Sequence, residues 1–113
     1  MPGPANLAFG NVSNSFILQV PVVAGAAIGA ATSVERTYTV LGLKVGDIIT
    51  ANKPTAFTAG LALANARVSA ADTLALTFLN TTAGGLSIQA ENWLIQVDRP
   101  GYDSVAQIPT AIG

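Results

Sequence analysis

Along most of this chain apolar residues recur at spacing two, not at the three-and-four spacing of an amphipathic helix. That period predicts β-strands. Ser15–Val23 (SFILQVPVV) is rich in β-branched and aromatic residues, and Pro21, which has no N–H to give a ladder, places the strand on a sheet edge or ends it there. Ser33–Val40 sets Val34, Arg36, Tyr38 and Val40 on one face and Ser33, Glu35, Thr37 and Thr39 on the other, with Gly42 turning the chain after it. Val45–Asn52 reads as a short strand opened by a Gly46–Asp47 turn. Leu61–Ser69 mixes helix-favouring Ala and Leu with Arg67 and Val68 and is assigned as a strand that forms a hairpin with Thr73–Asn80 across Ala70–Asp72. Thr73–Asn80 places Leu74, Leu76 and Phe78 opposite Thr73, Ala75 and Thr77. Asn80–Gly85 is then a loop whose two glycines can take positive φ. In Asn92–Asp98, Trp93, Ile95 and Val97 oppose Asn92, Leu94, Gln96 and Asp98, which makes Trp93 a core residue.

Strands at this spacing, joined by Gly, Asn and Thr turns, predict an all-β fold, a small antiparallel sandwich or a barrel-like, jelly-roll-like domain, over residues 15–99. The two ends fall outside the pattern. Residues 1–14 carry Pro2, Gly3, Pro4 and Gly10 with isolated apolar points and read as an extended N-terminal arm. Residues 100–113 follow Arg99 as a C-terminal tail in which Val105, Ile108 and Ile112 are too sparse to build an element. Fixing such segments costs about 1–2 kcal/mol of backbone entropy per residue, so a neighbouring surface must offset it.

Composition narrows the function. The chain has 113 residues, enough for one domain, and only 10% of them are charged, against about 25% in an ordinary domain. Five cations against six carboxylates supply no basic stripe for nucleic acid. Neither Cys nor His is present, which removes disulfides, thiolate nucleophiles, imidazole bases and most metal ligation. No cofactor, small-molecule substrate or enzymatic activity is therefore expected. Half of the residues are apolar, with 20 alanines and 6% aromatics, so a monomer would leave apolar area in water, and oligomerisation is the natural remedy. The most hydrophobic run, Val20–Ala31, is too short for a membrane span, and the start of the chain lacks the cations of a signal peptide. Cytosolic synthesis is the expectation.

Particular motifs fail on inspection. Lys53–Pro54–Thr55 lacks the glycines of a phosphate loop, and Gly25 and Gly29 sit in a run too short for a membrane dimerisation face. Glu35 and Glu91 have no aromatic platform beside them that would mark a glycosidase, and Tyr38, Trp93 and Tyr102 are too dispersed to bind sugar. Asp47, Asp72 and Asp103 adjoin turn residues, where carboxylates cap backbone N–H groups. Glu35 and Arg36 point to opposite faces, which excludes a mutual pair and leaves them as solvated strand charges or as groups with a partner on another strand or subunit. Lys53, Arg67 and Arg99, at strand ends, meet carboxylates across a subunit contact or serve as ordinary surface charge.

From Thr37 to Pro100 the chain runs TYTVLGLKVGDIITANKPT and then GLALANARVSAADTLALTFLNTTAGGLSIQAENWLIQVDRP. A Thr-rich strand into Gly-Leu-x-Val-Gly-Asp, a Lys-Pro turn, and an Ala-Arg-Val-Ser-Ala-Ala-Asp-Thr-Leu hairpin followed by Thr-Phe-Leu-Asn occur there in order. This resembles small tailed-bacteriophage virion proteins of the capsid decoration, or cement, type, over roughly 64 of the 113 residues. The resemblance implies a homotrimer on the outer surface of the virion that clamps neighbouring major capsid protein subunits. Related β proteins also build phage tails and fibres, which is the alternative. Contact residues expected on this reading are Leu7 and Phe9 in the arm, Phe16, Arg36, Tyr38, Arg67 and Arg99 in the domain, and Tyr102 and Ile108 in the tail.

Overall fold

The computed structural model describes residues 10–101 and 108–111. Among them lie six strands and no helix: β1 (Val12–Val22), β2 (Thr32–Thr39), β3 (Ile48–Asn52), β4 (Leu61–Ala70), β5 (Thr73–Asn80) and β6 (Glu91–Pro100). They form two three-stranded antiparallel sheets, β1-β6-β3 and β2-β5-β4, packed face to face. The fold is a small β-sandwich and not a closed barrel. Only the β4–β5 hairpin stays within one sheet; the other four connections cross from sheet to sheet.

The core is what the period-two pattern predicts. The central strands β6 and β5 turn Trp93, Ile95, Val97 and Leu74, Leu76, Phe78 inward, each at most 1% exposed. Trp93 takes Phe57 and Phe78 edge-on, with both ring centroids at 5.8 Å. Burying each of these large side chains stabilises the sandwich by about 1.5–3 kcal/mol.

Several boundaries move. β1 and β6 pair out to Val12 and Pro100, so the sheet takes in Val12–Asn14 and Pro100, which the sequence pattern assigns to arm and tail. Ser13 Oγ donating to the Arg99 carbonyl (3.1 Å) helps to hold that end. β3 begins at Ile48, because Val45–Asp47 is spent on a turn in which Gly46 has φ 103°. Leu61–Ala70 is a strand, and its hairpin with β5 turns at Asp72 (φ 59°).

In the 80–85 loop the glycines do not supply positive φ; the loop is held instead by a side chain. Asn80, fully buried, donates to the carbonyls of Ile28 (3.0 Å) and Gly84 (2.8 Å) and accepts from Thr82 N (2.9 Å) and Thr82 Oγ1 (2.7 Å). All four hydrogen-bonding positions of the amide are filled. The Val20–Ala31 run ends β1 at Val22 and then crosses between the sheets, burying Ile28, which exchanges backbone bonds with Leu86 at 2.7 and 3.0 Å.

Candidate docking surfaces

Alternation decides where each strand residue faces, and in sheet β2-β5-β4 it is well kept. β2 exposes Ser33, Glu35, Thr37 and Thr39 and turns Val34, Arg36 and Tyr38 inward. Arg67 on β4 reaches Glu35 on β2 by a bidentate pair (Nε–Oε2 2.8 Å, Nη2–Oε1 2.7 Å). To do so it crosses β5, where Ala75 is fully buried although it faces outward. The Arg67 hydrogen bonds hold the Glu35 carboxyl below the usual carboxylate range.

Sheet β1-β6-β3 breaks the alternation. Each of its strands carries an extra apolar residue beside an inward one: Ile17 after Phe16, Leu94 after Trp93, Ile48 before Ile49. Register puts the extra residues together on the outer face, in rows Ser15–Asp98–Ile48, Ile17–Gln96–Thr50 and Gln19–Leu94–Asn52. Ile17 is 74% exposed, Ile48 57% and Leu94 43%. Asp98 is the single ionisable group in these rows, and it accepts from Ser15 Oγ (2.7 Å). The face carries amides, hydroxyls, one carboxylate and three aliphatic side chains, with no cation, so a partner gains by covering the aliphatic groups and must supply hydrogen bonds to the polar ones.

A second surface lies where the sandwich stays open. β3 and β4 approach closely and close one side, whereas β1 and β2 barely touch. Along that open side run two adjoining depressions. One, of about 210 Å³, is lined by Phe16, Leu18, Leu41, Leu43, Val97 and Arg99. The other, of about 240 Å³, lies against Leu18, Val20, Pro21, Val40 and Leu41. Leu18 and Leu41 are shared. No described residue pairs with the outer edge of β1, which agrees with Pro21 on that strand.

Leu41 is 82% exposed on a loop that is tightly fastened. Gly42 N donates to Asp72 Oδ1 (2.7 Å), Asp72 N to the Leu43 carbonyl (2.9 Å), and Arg99 Nη2 to the Gly42 carbonyl (2.7 Å). Arg99 also grips Asp47 (Nε–Oδ1 2.9 Å, Nη2–Oδ2 2.7 Å), whose side chain is 2% exposed and accepts from Lys44 N at 2.9 Å. These Arg99 hydrogen bonds keep the Asp47 carboxyl below its ordinary value, against the opposing effect of burial. The Arg99 guanidinium stands 5.5 Å over the Phe16 ring.

The residues expected to contact neighbours divide accordingly. Phe16 lines the groove and Arg99 forms its end. Arg36 does not face outward: its guanidinium donates to the carbonyls of Ala24 (3.2 Å) and Ala26 and ties down the β1–β2 crossover. Gly25 makes room for it, since a Cβ there would come within 2.9 Å of Nη1. Tyr38 is likewise on the inner face, its hydroxyl buried and without a hydrogen-bond partner among the described residues, and burial raises its pKa. Lys53, Arg67 and Arg99 find their carboxylates within the chain, Lys53 on Glu91 at 2.5 Å and Glu91 held below its usual range by it. Ile108 is half-buried, while Leu7, Phe9 and Tyr102 lie outside the described residues. Sequence reasoning passed over Ile17, Ile48, Leu94 and Leu41; for the first three the signal was present, as adjacent apolar residues in strands that should alternate.

Each described carboxylate accepts a hydrogen bond inside the chain, so what the arrangement presents outward is chiefly the two surfaces. No family model matches this chain, and no curated protein or solved structure is significantly similar to it.

Proposed function

We propose that this chain is a structural protein of a bacteriophage virion that decorates the capsid shell, as a homotrimer bridging neighbouring major capsid subunits. The observation that carries the reading is the outer face of β1-β6-β3, where Ile17, Ile48 and Leu94 stand exposed on a surface without a cation. The ordered motifs between Thr37 and Pro100, the low charge and the internally satisfied ions support it. Such a role needs contact area and no reaction. An interface of about 1,600 Å², half of it apolar, grosses on the order of 20 kcal/mol, most of it cancelled by association costs. Repetition then makes modest contacts sufficient, because a trimer that touches several shell subunits turns later contacts into intramolecular ones.

Co-sedimentation of the full-length protein with shells of its phage that lack it tests the reading. Wild type should pellet with shells, and an Ile17→Glu/Leu94→Glu variant should lose at least about 100-fold in apparent affinity, since each carboxylate would have to be desolvated unpaired. Both positions are exposed, so unfolding should shift by less than about 1 kcal/mol. Undiminished binding by the variant, or none by wild type, refutes the proposal. A stoichiometry of a few copies per particle would favour a tail or fibre component instead.

A further inference from the structure

The groove on the open side of the sandwich has a shape and a chemistry that identify its occupant. Its floor and walls are mostly apolar, with Gln19 and Thr39 the polar side chains of the second depression, and its one ionic side chain, Arg99, is already neutralised by Asp47 and bonded to the Gly42 carbonyl. It therefore suits an uncharged apolar strand. Beside it, β1 offers an edge that no described residue pairs, so backbone hydrogen bonds are available to an added strand. The two depressions are offset along β1 by about two residues: Phe16 and Leu18 flank the first, Leu18 to Pro21 the second. That offset is about 7 Å, the distance between side chains i and i+2 on one face of an extended strand.

The chain itself contains a segment of this description. Nine residues precede Gly10, and no charged residue occurs before Glu35. Among the nine, Leu7 and Phe9 are spaced by two, so an extended backbone presents both to one side with Ala8 on the other. Gly10 stands at the far end of β1, exposed and with nothing within 4 Å of a Cβ built on it, six residues from Phe16. Nine residues reach about 30 Å, ample to cross to a neighbour.

We infer that Ala5–Phe9 of one copy docks as an added strand along β1 of a second copy, with Leu7 and Phe9 seated in the two depressions on either side of the Leu18–Leu41 ridge. This exchange links copies into the oligomer and rests on the reading of the chain as an assembly protein.

The test uses the full-length chain, which has no cysteine of its own. In a Phe9→Cys/Leu41→Cys variant, mild oxidation at micromolar concentration should give covalent dimers and trimers on non-reducing electrophoresis. A Phe9→Cys/Val45→Cys control, with Val45 exposed but outside the groove, should give at least 10-fold less. Leu7→Asp/Phe9→Asp should convert the oligomer to a monomer in sedimentation velocity that still unfolds in one cooperative transition. A disulfide closed within one chain, equal cross-linking of the control, or an unchanged oligomer in the aspartate variant would overturn the exchange. Failure of this inference is separable from failure of the proposed function: shell binding without cross-links removes only the exchange, and cross-linked oligomers that ignore shells remove only the capsid role.

Discussion

Replacing Asp47 with Asn removes one charge and leaves the shape of the side chain intact. The carboxylate accepts three hydrogen bonds, two from Arg99 and one from Lys44 N, and a carboxylate is acceptor-only. An amide must turn its NH2 toward at least one of those donors. Breaking a buried pair costs about 3–5 kcal/mol; because the Arg99 side chain is 24% exposed and water can solvate it, about 2–3 kcal/mol is expected here. For a domain of this size each kcal/mol moves the melting temperature by about 4 °C, so Asp47→Asn should melt about 8–12 °C lower at pH 7. The pH dependence carries the sharper signature. With the folded-state pKa of Asp47 held below its ordinary 3.8, the contribution of the pair is fully present above the unfolded value and is lost as pH falls through the folded one. Wild type should therefore lose stability steeply below about pH 4, and Asp47→Asn should lose less over the same interval. Differential scanning calorimetry between pH 2.5 and 7 reads both. A loss under 3 °C at pH 7, or parallel acid profiles, would refute the account of the Leu41 loop as anchored by this pair.

Three further outcomes follow from the same structure. Asn80→Ala orphans the groups that its amide satisfies in the interior, and urea unfolding should show a loss of about 2–4 kcal/mol; a loss under 1 would mean that the loop holds itself. Gly60→Ala must accept φ 94° and a Cβ placed 2.2 Å from Thr82 Cγ2, so a loss of about 2–3 kcal/mol is expected in the same assay. Tyr38→Phe deletes a buried hydroxyl without a partner among the described residues and should leave stability equal or up to about 1 kcal/mol higher; a clear loss would reveal a hydrogen bond to that hydroxyl.

The strands were legible because burial on one face imposes a period that survives in any sequence. Trp93, Ile95 and Val97 could be assigned to the core before any coordinates, as could Leu74, Leu76 and Phe78. The period names two faces but does not say which is inner when both hold polar groups. For β2 the inner face includes Arg36 and Tyr38, because the long Arg36 stem carries its charge to the carbonyls at the rim. Partners set by register were out of reach: Arg67 meets Glu35 only because β2 and β4 flank β5. The groove was equally hidden, since it depends on which two strand edges fail to close. The outer face of β1-β6-β3 was legible in principle, through apolar neighbours in strands that ought to alternate.

An image reconstruction of the intact particle tests the central claim most directly. Trimeric density for this chain is expected on the outer shell, with the Ile17, Ile48 and Leu94 face against the major capsid protein. Density confined to the tail, or a shell-bound chain with that face turned to solvent, would contradict it.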